Sequence, residues 1–133
     1  MRDYTEAVEM ARKAVELAPG RRRSWMILGI SYFRTGQWAA AVQALQESLQ
    51  RPGGPATRGG PPLEALLFLA MAQWQCGQRE AAMELYRKAV GEMETNFNAR
   101  DVEERTARAE AAALLGIKEP QPRKPKEESP NTE

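Results

Sequence analysis

The sequence predicts an all-α protein, and three observations carry that prediction. Apolar residues recur at three- and four-residue steps through most of the chain, which is the spacing of one helix face. No segment alternates apolar and polar residues with the two-residue period of a strand. The chain also repeats itself: Asp3–Leu17 aligns with Gln37–Arg51 at a shift of 34 residues, and Ser24–Gln37 aligns with Ala65–Gln78 at a shift of 41.

Each element has its own signals. The first helix runs from Asp3 to Leu17, with Asp3 placed to cap it and Glu6 three residues on to return the hydrogen bond. Tyr4, Ala7, Val8, Ala11, Ala14 and Val15 make its apolar face, and Pro19-Gly20 ends it. A second helix covers Arg23 to Arg34 and stops at Gly36; a third covers Trp38 to Gln50. In the next stretch, Arg51 to Pro62, eight of twelve residues are Gly or Pro, which makes it a loop. A fourth helix covers Leu63 to Gln75, Gly77 turns the chain, and a fifth covers Glu80 to Met93. The sixth is expected from Ala99 to Leu115, with Asn98 as its cap, Gly116 as its stop and Pro120 just beyond. From Glu119 to Glu133 there is no large apolar residue, so this tail is expected to be disordered.

Gly29 lies inside the second helix, where glycine costs roughly 1 kcal/mol relative to alanine, so packing must compensate. Gly36 sits between helices, where a positive φ carries no penalty for glycine. A 34-residue helix-turn-helix unit with Trp25, Leu28, Gly29, Tyr32, Gly36, Ala41, Leu45 and Ser48 at these spacings resembles the tetratricopeptide repeat. Leu69, Ala70, Gly77, Ala82, Tyr86 and Ala89 mark a second copy, with Ala70 in place of the small glycine and Gln73 in place of the tyrosine. Residues Asp3 to Pro19 resemble the back half of a copy whose first helix is absent. The resemblance implies a short right-handed α-solenoid of antiparallel helix hairpins with a C-terminal capping helix. The expected organisation is one helical domain over residues 3–117: a half repeat (3–20), a full repeat (22–51), the Gly/Pro loop (51–62), a second full repeat (63–93) and a capping helix (99–116), followed by the tail (119–133). The stretch from Ser24 to Ile117 also resembles C-terminal segments of large bacterial multidomain proteins, some serine/threonine kinases among them, although no kinase motif is present.

Composition narrows the function. Hydrophobic residues make up 42% of the 133 residues and charged residues 28%, the balance of one ordinary globular domain. The formal net charge is +1, so no whole-molecule field steers the chain to nucleic acid or an anionic membrane. Histidine is absent, which removes the commonest general base and the commonest metal ligand. No cofactor, metal or catalytic residue is therefore expected, and the chain is not read as an enzyme. The lone cysteine, Cys76, fits a reducing compartment. The chain opens Met-Arg-Asp-Tyr-Thr-Glu without an apolar signal core, and no apolar run approaches the roughly 18 residues of a membrane span. The expectation is a cytoplasmic protein that binds proteins, not nucleic acid or membranes.

Several local patterns have a functional reading that the residues do not support. The loop Gly53 to Gly60 lacks the Gly-Lys-Ser/Thr ending of a phosphate loop and follows a helix instead of a strand. Arg21, Arg22 and Arg23 have no flanking aromatics of the kind nucleic-acid binding uses, and read as a solvated turn. Cys76 has no histidine to activate it and reads as a half-buried turn residue. Glu103, Glu104 and Glu110 alternate with Arg105 and Arg108, the pattern of a solvated helix face. Pro122–Pro125 fits a minimal proline-rich ligand pattern, for which a solubilising tail is the plainer account.

The candidate binding surface is the inner face that the resemblance assigns to the first helix of each hairpin. It carries Met26, Ile30, Phe33 and Arg34 in the first full copy and Leu67, Met71 and Trp74 in the second. Only Arg23, Arg34 and Gln75 supply polar groups, too few for a carboxylate clamp. Two arrangements remain open: the stripe is covered by the sixth helix or upstream repeats, or it is a groove for an amphipathic helix or peptide. In the second case Trp74 is the expected hot spot and salt dependence is slight. The first helix, apolar on one face and without a preceding partner, is a candidate for self-association.

Overall fold

The computed structural model describes residues 5–51, 63–95 and 102–118. They form six helices: α1 (Thr5–Leu17), α2 (Arg22–Arg34), α3 (Trp38–Leu49), α4 (Leu63–Gln75), α5 (Arg79–Thr95) and α6 (Val102–Leu115). Among the described residues there is no strand. The expected caps Asp3 and Asn98, the 99–101 start of the sixth helix, the Gly/Pro loop at 52–62 and the 119–133 tail lie outside them.

Consecutive helices pack in chain order, α1 on α2, α2 on α3, α3 on α4 and α4 on α5, which is the stacking of a short solenoid of hairpins. The α2–α3 and α4–α5 turns repeat bond for bond. Gly36 has φ +81° and Gly77 φ +86°. The amide of Gln37 donates to the carbonyl of Tyr32 at 2.9 Å, and that of Gln78 to Gln73 at 2.8 Å. Gly36 and Gly77 donate to Phe33 and Trp74, each at 3.1 Å. Glycine at a positive φ lets the chain reverse while the last carbonyls of the helix keep partners. The same stop closes α6, where Gly116 has φ +74° and Ile117 donates to Ala112 at 2.9 Å.

Gly29 does what a packing glycine must. A Cβ built there would lie 2.5 Å from Cγ and 3.2 Å from the backbone nitrogen of Leu45. The sequence points to Ala41 as the small residue opposite; Ala41 is buried, but Leu45, one turn on, fills the space that glycine leaves. The equivalents of this pair in the second copy, Ala70 and Tyr86, are both buried, as are Leu69, Ala82 and Ala89.

The main core surrounds α4, in which ten of thirteen residues are buried. A helix apolar on all sides needs neighbours on all sides, and α4 has them in α3, α5, α6 and, more lightly, α2. A smaller cluster of Val8, Ala11, Leu28 and Ala44, flanked by Val15, Trp25 and Tyr32, ties α1 to the first hairpin.

Candidate functional site

The α2 residues Arg23, Met26, Ile27, Ile30 and Arg34 fall within about 100° on a helical wheel and so share one face. At the 41-residue shift their counterparts on α4 are Glu64, Leu67, Phe68, Met71 and Gln75. These two faces form the candidate groove, and their fates differ. Leu67 and Met71 are each 0% exposed on a helix along which α6 packs, and Phe68 is buried beside Phe33 and Arg34 of α2. Met26 and Ile30 are only half-buried and Ile27 is 40% exposed.

Phe33 is buried, with its ring centroid 5.1 Å from that of Trp38 and 5.6 Å from that of Phe68 in an edge-on contact. Trp74, its counterpart, is half-buried and meets Arg79, the counterpart of Trp38, with the guanidinium 4.6 Å from the ring centroid. The repeat thus keeps the contact while changing its chemistry from aromatic pair to cation on ring. Trp74 stands at the end of α4 instead of the centre of an open groove. There it lines, with Arg79, Met83, Arg87 and Leu115, a cleft of about 620 Å³ between α5 and α6.

Helix α6 runs parallel to α4. At its middle, Arg108 pairs with Glu94 near the end of α5 at 3.1 Å, and at its end Leu115 reaches the cleft beside Trp74. Ala107, Ala111, Ala112 and Leu115 point into the core. Arg34 lies 5.2 Å from the ring centroid of Phe68 and donates from Nη1 and Nη2 to the carboxylate of Glu110, at 2.5 and 3.0 Å. Glu110 and Arg108 are therefore bridging residues, not members of a solvated charge ladder as their alternation suggests. A pairing 76 positions apart leaves no spacing signal in the sequence.

Arg51, at the entrance to the Gly/Pro loop, is a packing residue that periodicity does not reveal. Its guanidinium donates to the carbonyl of Pro19 at 3.0 Å and to the carbonyl and carboxylate of Glu47, and lies 4.7 Å from the Trp25 ring centroid. The Trp25 indole donates to the same Pro19 carbonyl at 2.8 Å. Of the arginine cluster, Arg22 donates to the carbonyl of Arg51 at 3.0 Å, while Arg21 and Arg23 are exposed. Tyr32 is half-buried and its hydroxyl accepts from Arg12 on α1 at 3.1 Å. Cys76, in the turn just before Gly77, is exposed, not half-buried. Among the described residues, no group of His, Cys, Asp and Glu is placed to hold a metal, and no helix is long and apolar enough to cross a membrane.

Two family models match the chain, one over residues 1–56 and one over residues 63–92, and both describe a tetratricopeptide repeat. The chain is a tetratricopeptide repeat protein. The two matches break where the Gly/Pro loop lies, so the insertion that changes the repeat shift from 34 to 41 separates two units of one family. Membership carries the coarse function of these repeats, a module for binding proteins. Neither match supports the resemblance to kinase C-terminal segments, and no curated protein matches the chain.

Proposed function

We propose that this tetratricopeptide repeat protein is a scaffold or adaptor without chemistry of its own, and that it receives an amphipathic helix on the open half of its groove. The observation that supports this is the apolar strip on α2 in which Ile27 is exposed and Met26 and Ile30 are half-buried, bounded by Arg23 and by Arg34, which also meets Glu110. A strip one helix wide, apolar along its length and basic at both ends, suits a helix with apolar residues at three- and four-residue steps and acidic residues on its flanks. Methionine and isoleucine give contact area without orienting a charge, so shape and the flanking arginines set the register.

Photo-crosslinking tests this reading. A photoreactive residue at position 27 should capture a partner in a lysate of the source organism, and one at the exposed position 87 on α5 should not. Ile27→Glu should weaken that partner's binding by about 2 kcal/mol, the size of an interface hot spot. Capture that is equal from both positions, or an affinity for the captured partner unchanged by Ile27→Glu, would remove the strip from consideration.

The outer face of α1 supports a second contact. Met10 is 67% exposed and Leu17 85% exposed, two turns apart on that face. Self-association through this face should make the sedimentation mass rise with concentration, and Met10→Glu with Leu17→Glu should hold the protein at monomer mass. A wild-type chain that stays monomeric at every concentration leaves α1 without that role.

A further inference from the structure

The repeat provides its own control for what α6 does. Met26 and Ile30 on α2 correspond to Leu67 and Met71 on α4; the first pair is half-buried and the second is 0% exposed. The difference is α6, which lies along α4 and touches α2 only through side chains. Nor does α6 extend the stack as α4 does. Trp38, Val42 and Leu49 of α3 pack against the core that α4 shares; of their counterparts on α5, Met83 and Val90 pack against it too, and Arg79 is exposed. Helix α6 meets α5 only lightly and leaves the cleft beside Arg79 and Met83 between them. It has left the position of the next hairpin helix and entered the groove.

Resting on the reading of this chain as a helix-binding module, we propose that α6 is the resident ligand of the α4 half of the groove, and that the partner is an amphipathic helix that replaces it by presenting the same pattern. That pattern is written in the seated helix. Small residues stand at Ala107, Ala111 and Ala112, a leucine follows at Leu115, and a carboxylate stands at Glu110. The small side chains let the helix axis lie close over Leu67 and Met71, and the carboxylate meets Nη1 and Nη2 of Arg34, a fork-to-fork pair that fixes register. The groove carries Arg23 and Arg34 on α2 and Glu64 on α4, so the complementary helix places its carboxylate at the Arg34 end. The grip is rich in small residues: of the four buried residues three are alanines, with Leu114 and Ile117 partly buried beside them, and the ion pairs Arg34–Glu110 and Arg108–Glu94 are partly exposed and so weakly stabilising. Such an element belongs to the part of a protein that opens before the rest.

The test uses the full-length chain and a labelled synthetic peptide of residues 102–118. In native-state hydrogen exchange the amides of Ala107–Leu115 should exchange well before those of Leu66–Gln73. The peptide should bind the chain. Glu110→Arg in the chain, which sets α6 against Arg34, should tighten peptide binding about tenfold by freeing the groove. A Glu110→Arg peptide should bind poorly to the wild-type chain and regain affinity for an Arg34→Glu chain, a reciprocity that nonspecific adhesion does not produce. Amides of α6 that exchange only with global unfolding, absence of peptide binding, or binding indifferent to the charge exchange would each overturn the proposal. Crosslinking from position 27 that persists despite such a result would leave the open-half reading standing. Loss of that crosslinking with peptide binding intact would discard the open half alone.

Discussion

A methyl group at position 29 would sit 2.5 Å from Cγ of Leu45, so the fit of α2 on α3 depends on a hydrogen atom. Helix propensity favours alanine over glycine by roughly 1 kcal/mol, yet overpacking costs typically 1–3 kcal/mol. Gly29→Ala should therefore lower the thermal midpoint slightly or leave it unchanged, and Gly29→Leu should lower it by several degrees. A midpoint for Gly29→Leu within a degree or two of wild type would break the repeat alignment at its most specific position. Tyr86 makes the opposite prediction. Its ring is buried where Leu45 stands in the first copy, and its hydroxyl has no hydrogen-bond partner among the described residues. A buried hydroxyl left unpaired costs about 1–3 kcal/mol, so Tyr86→Phe should hold or raise the midpoint; a clear fall would reveal a partner for the hydroxyl. The role of Gly29 was legible in its spacing. The Arg51 contacts with Pro19 and Trp25 were not, because a bond to a carbonyl 32 positions away follows no period.

Helices that end alike are not placed alike. The helices α2, α4 and α6 share one stop, a glycine at positive φ with the next amide reaching back to the helix, and their ends were readable from Gly36, Gly77 and Gly116. What α6 packs against was not readable, since its alanine-rich face fits any close neighbour. Helix α1 has the simplest surroundings. Val8 and Ala11 are its buried residues, and it packs on α2. In a stacked array each unit draws stability from its neighbours, and α1 has a neighbour helix on one side only among the described residues. The amides of Val8–Val15 should therefore exchange faster than those of Leu45–Leu49 in native-state hydrogen exchange. Equal protection in a monomer would mean that α1 belongs to the same cooperative unit as the first hairpin.

Taken as a whole, the molecule is a stack that turns back on itself. Its most buried helix, α4, is packed by α3 and α5 from the stack and by α6 along a further side, so the second hairpin carries the main core. An apolar groove without charge would bind its partner with little salt dependence. Arg34, already paired with one carboxylate, revises that expectation. An exposed ion pair contributes about 0.2–1 kcal/mol and is screened by salt. Partner binding should therefore weaken by no more than about fivefold from low to physiological salt, and the Arg34→Gln chain should lose that dependence. A steep salt slope that survives Arg34→Gln would place the charge readout elsewhere on the surface.

Periodicity, turn glycines and the internal repeat were enough to read six helices, their order, the hairpin turns and the tetratricopeptide family from the amino acids alone. All of these are set by residues near one another in the chain or related by a fixed shift, which is the kind of information a linear pattern holds. The same pattern placed Leu67, Met71 and Trp74 on the groove face but left open whether anything covered them. That depended on where α6 came to rest, and so on contacts between distant positions: Ala111 in the core with Met71, Glu110 on Arg34, Arg108 on Glu94. The exposure of Ile27 on α2 was likewise not readable from the sequence. The apolar character of that residue is local, and its exposure depends on which helices pack against α2.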